Sequence, residues 1–336
     1  MGPSLSVTPN SPGTKLLREL TLLTVASPET TVTTGSTAYP KWGVSEVYDR
    51  YGNRSDQNQT YGNPPMNHVT IDAAHNRISG SPYAYDASGN MTNDGNNTLV
   101  YDGENRLVSA TNGSSSGTYT YDGKGQRVQK VSGSTTTVTL FLGSQVMAEY
   151  VNGAAPSSPT NEYIYAGGQR IASIQSGTTN YWHSDNLSPR VRTDTNGNVA
   201  DQRGHFPFGE TWYSPTGAPY IFTTYYRDSE SGNDYAQARY NINRLGRFSS
   251  PDPLGGDISD PQSLNRYPYV LNSPLNLVDP VGLSDCPDMK PTCGDDWIDL
   301  CNGSPGVDLF GGIPGGGAAQ SGPARTDYRA VPVAVD

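Results

Sequence analysis

Tyr101-Asp102-Gly103-Glu104-Asn105-Arg106-Leu107 is followed, at Tyr121-Asp122-Gly123-Lys124-Gly125-Gln126-Arg127-Val128, by a near copy of itself. In each unit the Tyr ends a strand and packs its ring on a neighbour. The Asp side chain accepts hydrogen bonds from the N–H groups of a turn. A Gly two or three positions later supplies the positive φ that the turn requires. The next strand then alternates, with Arg127, Gln129 and Val131 set against Val128 and Lys130. One unit is therefore one hairpin. Tyr48-Asp49-Arg50-Tyr51-Gly52-Asn53 and Tyr85-Asp86-Ala87-Ser88-Gly89-Asn90 repeat the pattern upstream, and Asp94-Gly95, Asn112-Gly113, Asn152-Gly153 and Asn196-Gly197 add hairpin turns. An array of such units predicts a mainly β chain of spiralling antiparallel hairpins.

The composition agrees. Of 336 residues, 38 are Gly and 26 Pro, the poorest helix formers, while Tyr (22) far outnumbers Phe (6). Hydrophobic residues make up only 34%, so tyrosine stacking has to supply much of the burial. The net charge is −10 with no Lys/Arg cluster, which disfavours nucleic-acid binding. No apolar run is long enough for a transmembrane helix. Lys15–Leu23 is the best short helix candidate, and Glu19 interrupts it too early for an export signal. Cys286, Cys293 and Cys301 lack a fourth ligand at zinc spacing, and no cofactor or metal site is expected.

A series of ordered motifs follows the repeats. They are Tyr181-Trp182-His183-Ser184-Asp185, Arg192-Thr193-Asp194-Thr195-Asn196-Gly197, Phe206-Pro207-Phe208-Gly209-Glu210, Asp228-Ser229-Glu230-Ser231-Gly232 and Tyr235-Ala236-Gln237-Ala238-Arg239-Tyr240. Gly246-Arg247-Phe248-Ser249-Ser250-Pro251-Asp252-Pro253, Asn265-Arg266-Tyr267-Pro268-Tyr269-Val270 and Asn272-Ser273-Pro274 come next, and Asp279-Pro280-Val281-Gly282-Leu283 closes the set. Over residues 45–283 this resembles the YD repeats and RHS repeat-associated core of bacterial RHS proteins, toxin C subunits and teneurins. The chain departs from the pattern at Leu187-Ser188-Pro189, where Leu-Gly-Ser is usual, at Thr224, where Gly follows Phe-Thr, and at Asn241. Pro189 is expected to disturb a ladder locally.

The resemblance implies an irregular N-terminal segment over 1–45, a YD-shell wall over 46–180, a core with a few short helices over 181–283, and a variable tail over 284–336. It also implies a hollow shell whose core plugs one end. In the family that core is an aspartyl autoprotease that releases the C-terminal segment. Carried onto this chain, the scissile bond is Leu283–Ser284 and the catalytic residues are Asp252, Asp279 and Arg239. Two carboxyls brought close cannot both ionise comfortably, so one can activate water while the other donates a proton. Such a cut happens once per molecule, and no turnover on external substrates is expected.

Alternative readings remain at several positions. Asp252-Pro253 and Asp279-Pro280 taken alone are turn sequences. Arg239 could be a structural ion pair, with Arg247 as its rival. His183 and Asp185 read as turn contacts, since no nucleophile accompanies them. The tail at 284–336 is too polar and short to bury a core and reads as an inactive or disordered remnant, or a short linker. The chain itself reads as a fragment or truncated paralogue, since too few repeats are present to close a shell. Its expected partners are its own C-terminal segment, upstream YD repeats and secretion-system proteins, with no membrane insertion. The family places it outside the cell or at its surface. The rival functions are a non-enzymatic adhesion scaffold and a carbohydrate-binding surface of exposed tyrosines.

Overall fold

Alternating strands and tight turns give the wall its topology. The computed structural model describes residues 5–7, 29–32, 40–185, 187–213 and 219–283. Ala84–Tyr85 through Val199–Gln202 form one antiparallel sheet of thirteen strands, each paired with its sequence neighbours. The sheet continues past residue 180, through Thr178–Ser184 and Pro189–Thr193, before the chain turns inward. A second sheet joins Leu5–Val7, Glu29–Val32, Gly43–Tyr48, Arg54–Tyr61 and Asn67–His68. No α-helix occurs among the described residues. The helical elements are the 3-10 turns Asn243–Leu245, Pro261–Leu264 and Tyr269–Asn272. The helix candidate at 15–23 lies outside the described residues.

Each Tyr-Asp unit closes as its sequence predicts. Asp102 Oδ1 accepts from Glu104 and Arg106 N–H at 2.9 and 3.0 Å, and Asp122 Oδ1 from Lys124 and Gln126 N–H, both at 2.9 Å. The positive φ falls on the third residue after the Asp in every unit: Gly52, Gly89, Asn105 and Gly125. The second glycine-like position of the first quoted unit is thus Asn105 (φ 61), and Gly103 carries no such duty. Asn tolerates the left-handed region where most side chains do not.

The strict alternation expected after Arg127 fails at a bulge. The register shifts between Thr120 and Tyr121, so Tyr121 faces Arg127 while Thr120 faces Gln129. An extra residue on one strand flips side-chain parity. Arg127 and Lys130 therefore reach the same carboxylate, Asp228, at 2.5 and 2.8 Å. A similar shift between His183 and Ser184 lies opposite Pro189.

The wall's inner residues pack on the core that folds against them. Leu99, Leu107, Ala110 and Tyr119 cluster with Tyr235 and Tyr240, and Tyr163 and Trp182 with Tyr220. Phe208, Phe222, Tyr225, Phe248 and Tyr269 form a third cluster within the core. Two of the buried tyrosines donate to buried carboxylates: Tyr119 to Glu230 at 2.8 Å and Tyr163 to Glu149 at 2.9 Å. Guanidinium groups cover their rings. Arg170 lies 3.7 Å from the Tyr220 centroid and Arg127 4.1 Å from that of Tyr235. Aromatic rings capped by cations thus supply much of the burial, beside a smaller aliphatic cluster of Val69, Ile78, Met91, Ile242 and Leu245. Of the described tyrosines, Tyr51, Tyr61 and Tyr181 are exposed.

A second junction ties the early strands to the Pro-Phe-Gly-Glu turn. Glu46 faces Gln57 across its strand pair, and Gln57 Nε2 donates to Glu210 at 3.0 Å. Burial pushes the Glu46 carboxyl up to about 7, with nearby Arg54 pulling it down and Glu210 pushing it further up.

Candidate active site

The chain returns through the four short strands Tyr226–Arg227, Asp234–Tyr235, Tyr240–Ile242 and Arg247–Phe248. The turn at 236–239 between the middle two carries Arg239, which is 6% exposed. Its guanidinium stacks 3.7 Å above the Phe248 ring. One of its nitrogens, Nη2, lies 2.6 Å from Asp252 and 3.6 Å from Asp279. Its Nε donates to the Gly282 carbonyl and its Nη1 to the Arg266 carbonyl at 3.1 Å. The three residues singled out from sequence therefore meet at a single guanidinium.

Asp252 is held by its own turn. Its N–H donates to Arg266 O at 2.9 Å, and its Oδ1 accepts from Leu254 N–H at 2.8 Å. Burial pushes its carboxyl above the usual carboxylate range, and Arg239 pulls it back. Asp279 is fully buried. Its Oδ1 accepts from Val281, Gly282 and Leu283 N–H at 3.3, 2.7 and 3.0 Å, so the side chain shapes the turn it begins. Gly282 has φ +81°, and a Cβ there would sit 2.7 Å from the Ala236 carbonyl oxygen. The glycine of this motif is needed for close approach to the 236–239 turn as well as for its φ. Ser284, the cysteines and the rest of the tail lie outside the described residues.

Other sequence candidates sit elsewhere. Arg247 donates to Asn53 Oδ1 at 2.9 Å and to Asn76 O at 3.1 Å, clamping the early turns. His183 pairs with Thr193 Oγ1 at 2.9 Å, and Asp185 accepts from Leu187 and Ser188 N–H, as turn contacts do. Sequence reasoning missed Thr224 and Tyr225. Tyr225 donates its hydroxyl to the Asp279 carbonyl, and Thr224 donates its own to the Pro280 carbonyl at 3.2 Å. The departure from Gly at 224 was the one signal available. A cavity of about 100 Å³ adjoins this turn, with Tyr165, Arg170, Trp182, Thr224, Pro280 and Val281 among its walls. Among the described residues no His/Cys/Asp/Glu group could hold a metal, and no helix is long and apolar enough to cross a membrane.

No family model matches the chain. Sequence comparison finds the tRNA3(Ser)-specific nuclease WapA of Bacillus spizizenii, 27% identical over 71% of this chain and 11% of that protein. The toxin protein Tse5 of Pseudomonas aeruginosa is 31% identical over 31% of this chain and 8% of its own. Toxin subunit YenC2 of Yersinia entomophaga is 32% identical over 35% of this chain and 12% of its own. The chain thus spans about a tenth of the length of these relatives. Among solved structures, that of TcdB2-TccC3-Cdc42 superposes with TM-score 0.62 at 20% identity, over 83% of this chain and 15% of that one. The Photorhabdus luminescens Tc holotoxin pore gives TM-score 0.59 at 18% identity, over 81% of this chain and 15% of that one. In fold the chain is RHS shell-like, as in these Tc toxin structures, and in sequence it is similar to parts of WapA, Tse5 and YenC2.

Proposed function

We propose that this chain forms the C-terminal end of an RHS shell and cuts its own backbone once, between Leu283 and Ser284, to release the segment that follows. The observation that carries this reading is the reach of Arg239, which contacts Asp252, Asp279 and the carbonyl of Gly282, one residue before the bond. In this reading Asp252, whose carboxyl burial raises, is the proton donor. Asp279 takes a proton from a water that attacks the Leu283 carbonyl carbon. Asp252 gives its proton to the departing Ser284 nitrogen, and the C–N bond breaks to leave a new carboxyl and a new amine. The adjoining cavity offers water a place beside the turn. The released segment is the cargo, upstream YD repeats complete the container, and the assembly works outside the producing cell.

The test is the intact mass of the purified chain. Self-cutting gives a body ending at Leu283 of about 30 kDa and a tail of about 5 kDa, from chain fractions. Asp252→Asn and Asp279→Asn leave the full-length mass. The rate falls as pH rises through the elevated Asp252 titration, because the proton donor is lost. Full-length wild-type protein at every pH tried would refute the proposal. It would favour the second reading, a non-enzymatic scaffold, for which the three N–H bonds to Asp279 Oδ1 already give that residue a turn-shaping role.

A further inference from the structure

Four consecutive carbonyls leading to the proposed scissile bond each meet a donor. The Tyr225 hydroxyl donates to Asp279 O and the Thr224 hydroxyl to Pro280 O at 3.2 Å. The Ala238 N–H donates to Val281 O at 3.0 Å, and Arg239 Nε to Gly282 O. On the other side of the same backbone, the N–H groups of Val281, Gly282 and Leu283 go to Asp279 Oδ1. The turn is thus gripped through its main chain.

Thr224 and Tyr225 are themselves fixed. Thr223 sits in the left-handed region at φ 48°, which costs backbone energy for a β-branched residue. Its N–H donates to the buried Ser188 hydroxyl of the wall at 2.8 Å. Tyr225 N–H returns to Phe222 O at 3.1 Å, and the Tyr225 ring is wedged edge-on between Phe222 and Tyr269, each 6.2 Å away between centroids. The wall therefore sets where these two hydroxyls point. Shifting the gripped segment by one residue would move the bond away from the carboxyls and break the whole set of carbonyl contacts.

We propose that Thr224 and Tyr225 are positioning residues that fix the register of the self-cut by holding the carbonyls of Pro280 and Asp279. This rests on the self-cleavage proposed above. Thr224 stands where the family pattern has Gly, so its contact is a grip that a glycine could not make.

The experiment follows the cut in time by intact mass on the full chain, for wild type, Thr224→Val, Thr224→Ser, Tyr225→Phe and the Val/Phe double variant. Each hydroxyl deletion should slow the cut about tenfold and the pair about a hundredfold, as loss of positioning does. The double variant should also give ragged ends on either side of Leu283. Thr224→Ser should restore the wild-type rate and a single end, which a purely structural role would not require. Thermal unfolding of each variant tracks folding separately. Cutting in the variants at the wild-type rate and site, with wild type itself active, would overturn the positioning role alone. An uncut wild type would overturn both this proposal and the one it rests on.

Discussion

The wall from residue 84 to 202 and the core from 204 to 283 are built by opposite means from similar residues. In the wall every strand pairs with the strand next to it in sequence, and the turns led by Asp102, Asp122 and Asp194 are each closed by the Asp bonding to N–H groups within four residues. In the core the strands are two or three residues long, and the bonds that matter join distant positions, such as Arg127 with Asp228 or Tyr225 with Asp279. Local closure makes the wall modular, so damage to one turn should stay in that turn. The core has no such independence. Its polar groups are buried in sets that span both regions, and removing one member strands the others.

The largest effect that sharpens this contrast is expected at the junction. Arg127→Leu leaves Asp228 buried with Lys130 as its remaining cation and removes the charge stacked on Tyr235. The expected loss is about 3–5 kcal/mol in urea unfolding, the cost of breaking a buried pair from one side. A loss below about 1 kcal/mol would show the junction to be no more cooperative than a wall turn.

Glu46 comes next. Its carboxyl is raised in the fold, so the stability it contributes is fully present below the ordinary Glu value and is lost as pH rises through about 7. The loss across that window is on the order of 3 kcal/mol at most. Glu210 and Asp252 are raised too and push the same way. Buried His205 is depressed by its burial and pushes the opposite way, losing stability as pH falls below the ordinary His value. The quantity to measure is therefore the difference in unfolding free energy between wild type and Glu46→Gln across pH. It should shift in the variant's favour on going from acid to neutral. A pH-independent difference would contradict the assigned burial.

Gly282→Ala should cost about 1–2 kcal/mol from its left-handed backbone, and more where the new Cβ meets the Ala236 carbonyl. Because it displaces the segment before the proposed bond, the cut should fail while the wall stays intact. Hydrogen exchange localised to 236–239 and 279–283 would check this.

The smallest effect lies in the wall and separates two adjacent units. Gly125 has φ +79° and Gly103 has none in that region, and neither has an atom within 4 Å of an added Cβ. Gly125→Ala should therefore cost about 1–2 kcal/mol, while Gly103→Ala should change stability by less than about 0.5 kcal/mol. Equal effects would mean that the position three residues after the Asp is not what closes the hairpin.

The repeat itself was readable because its information is local. Tyr, Asp and a left-handed residue within one turn specify a hairpin without reference to the rest of the chain, and Asp102 and Asp122 bond just as that reading requires. Which of two glycines carries the positive φ was less legible, because both lie within turn range of the Asp. The bulges were not legible at all. They decide that Arg127 and Lys130 share Asp228, and no residue type announces them.

The candidate trio of Arg239, Asp252 and Asp279 came from the resemblance. Thr224 and Tyr225 came from neither composition nor motif, since hydroxyls that reach carbonyls more than fifty residues away leave no periodic trace. Sequence by itself determined that this chain folds as a run of Tyr-Asp hairpins, because turn chemistry and strand alternation act between near neighbours. Only the tertiary structure decided which side chains share a buried guanidinium. Those meetings depend on how the core folds back on the wall, and that is set by the packing of many rings at once.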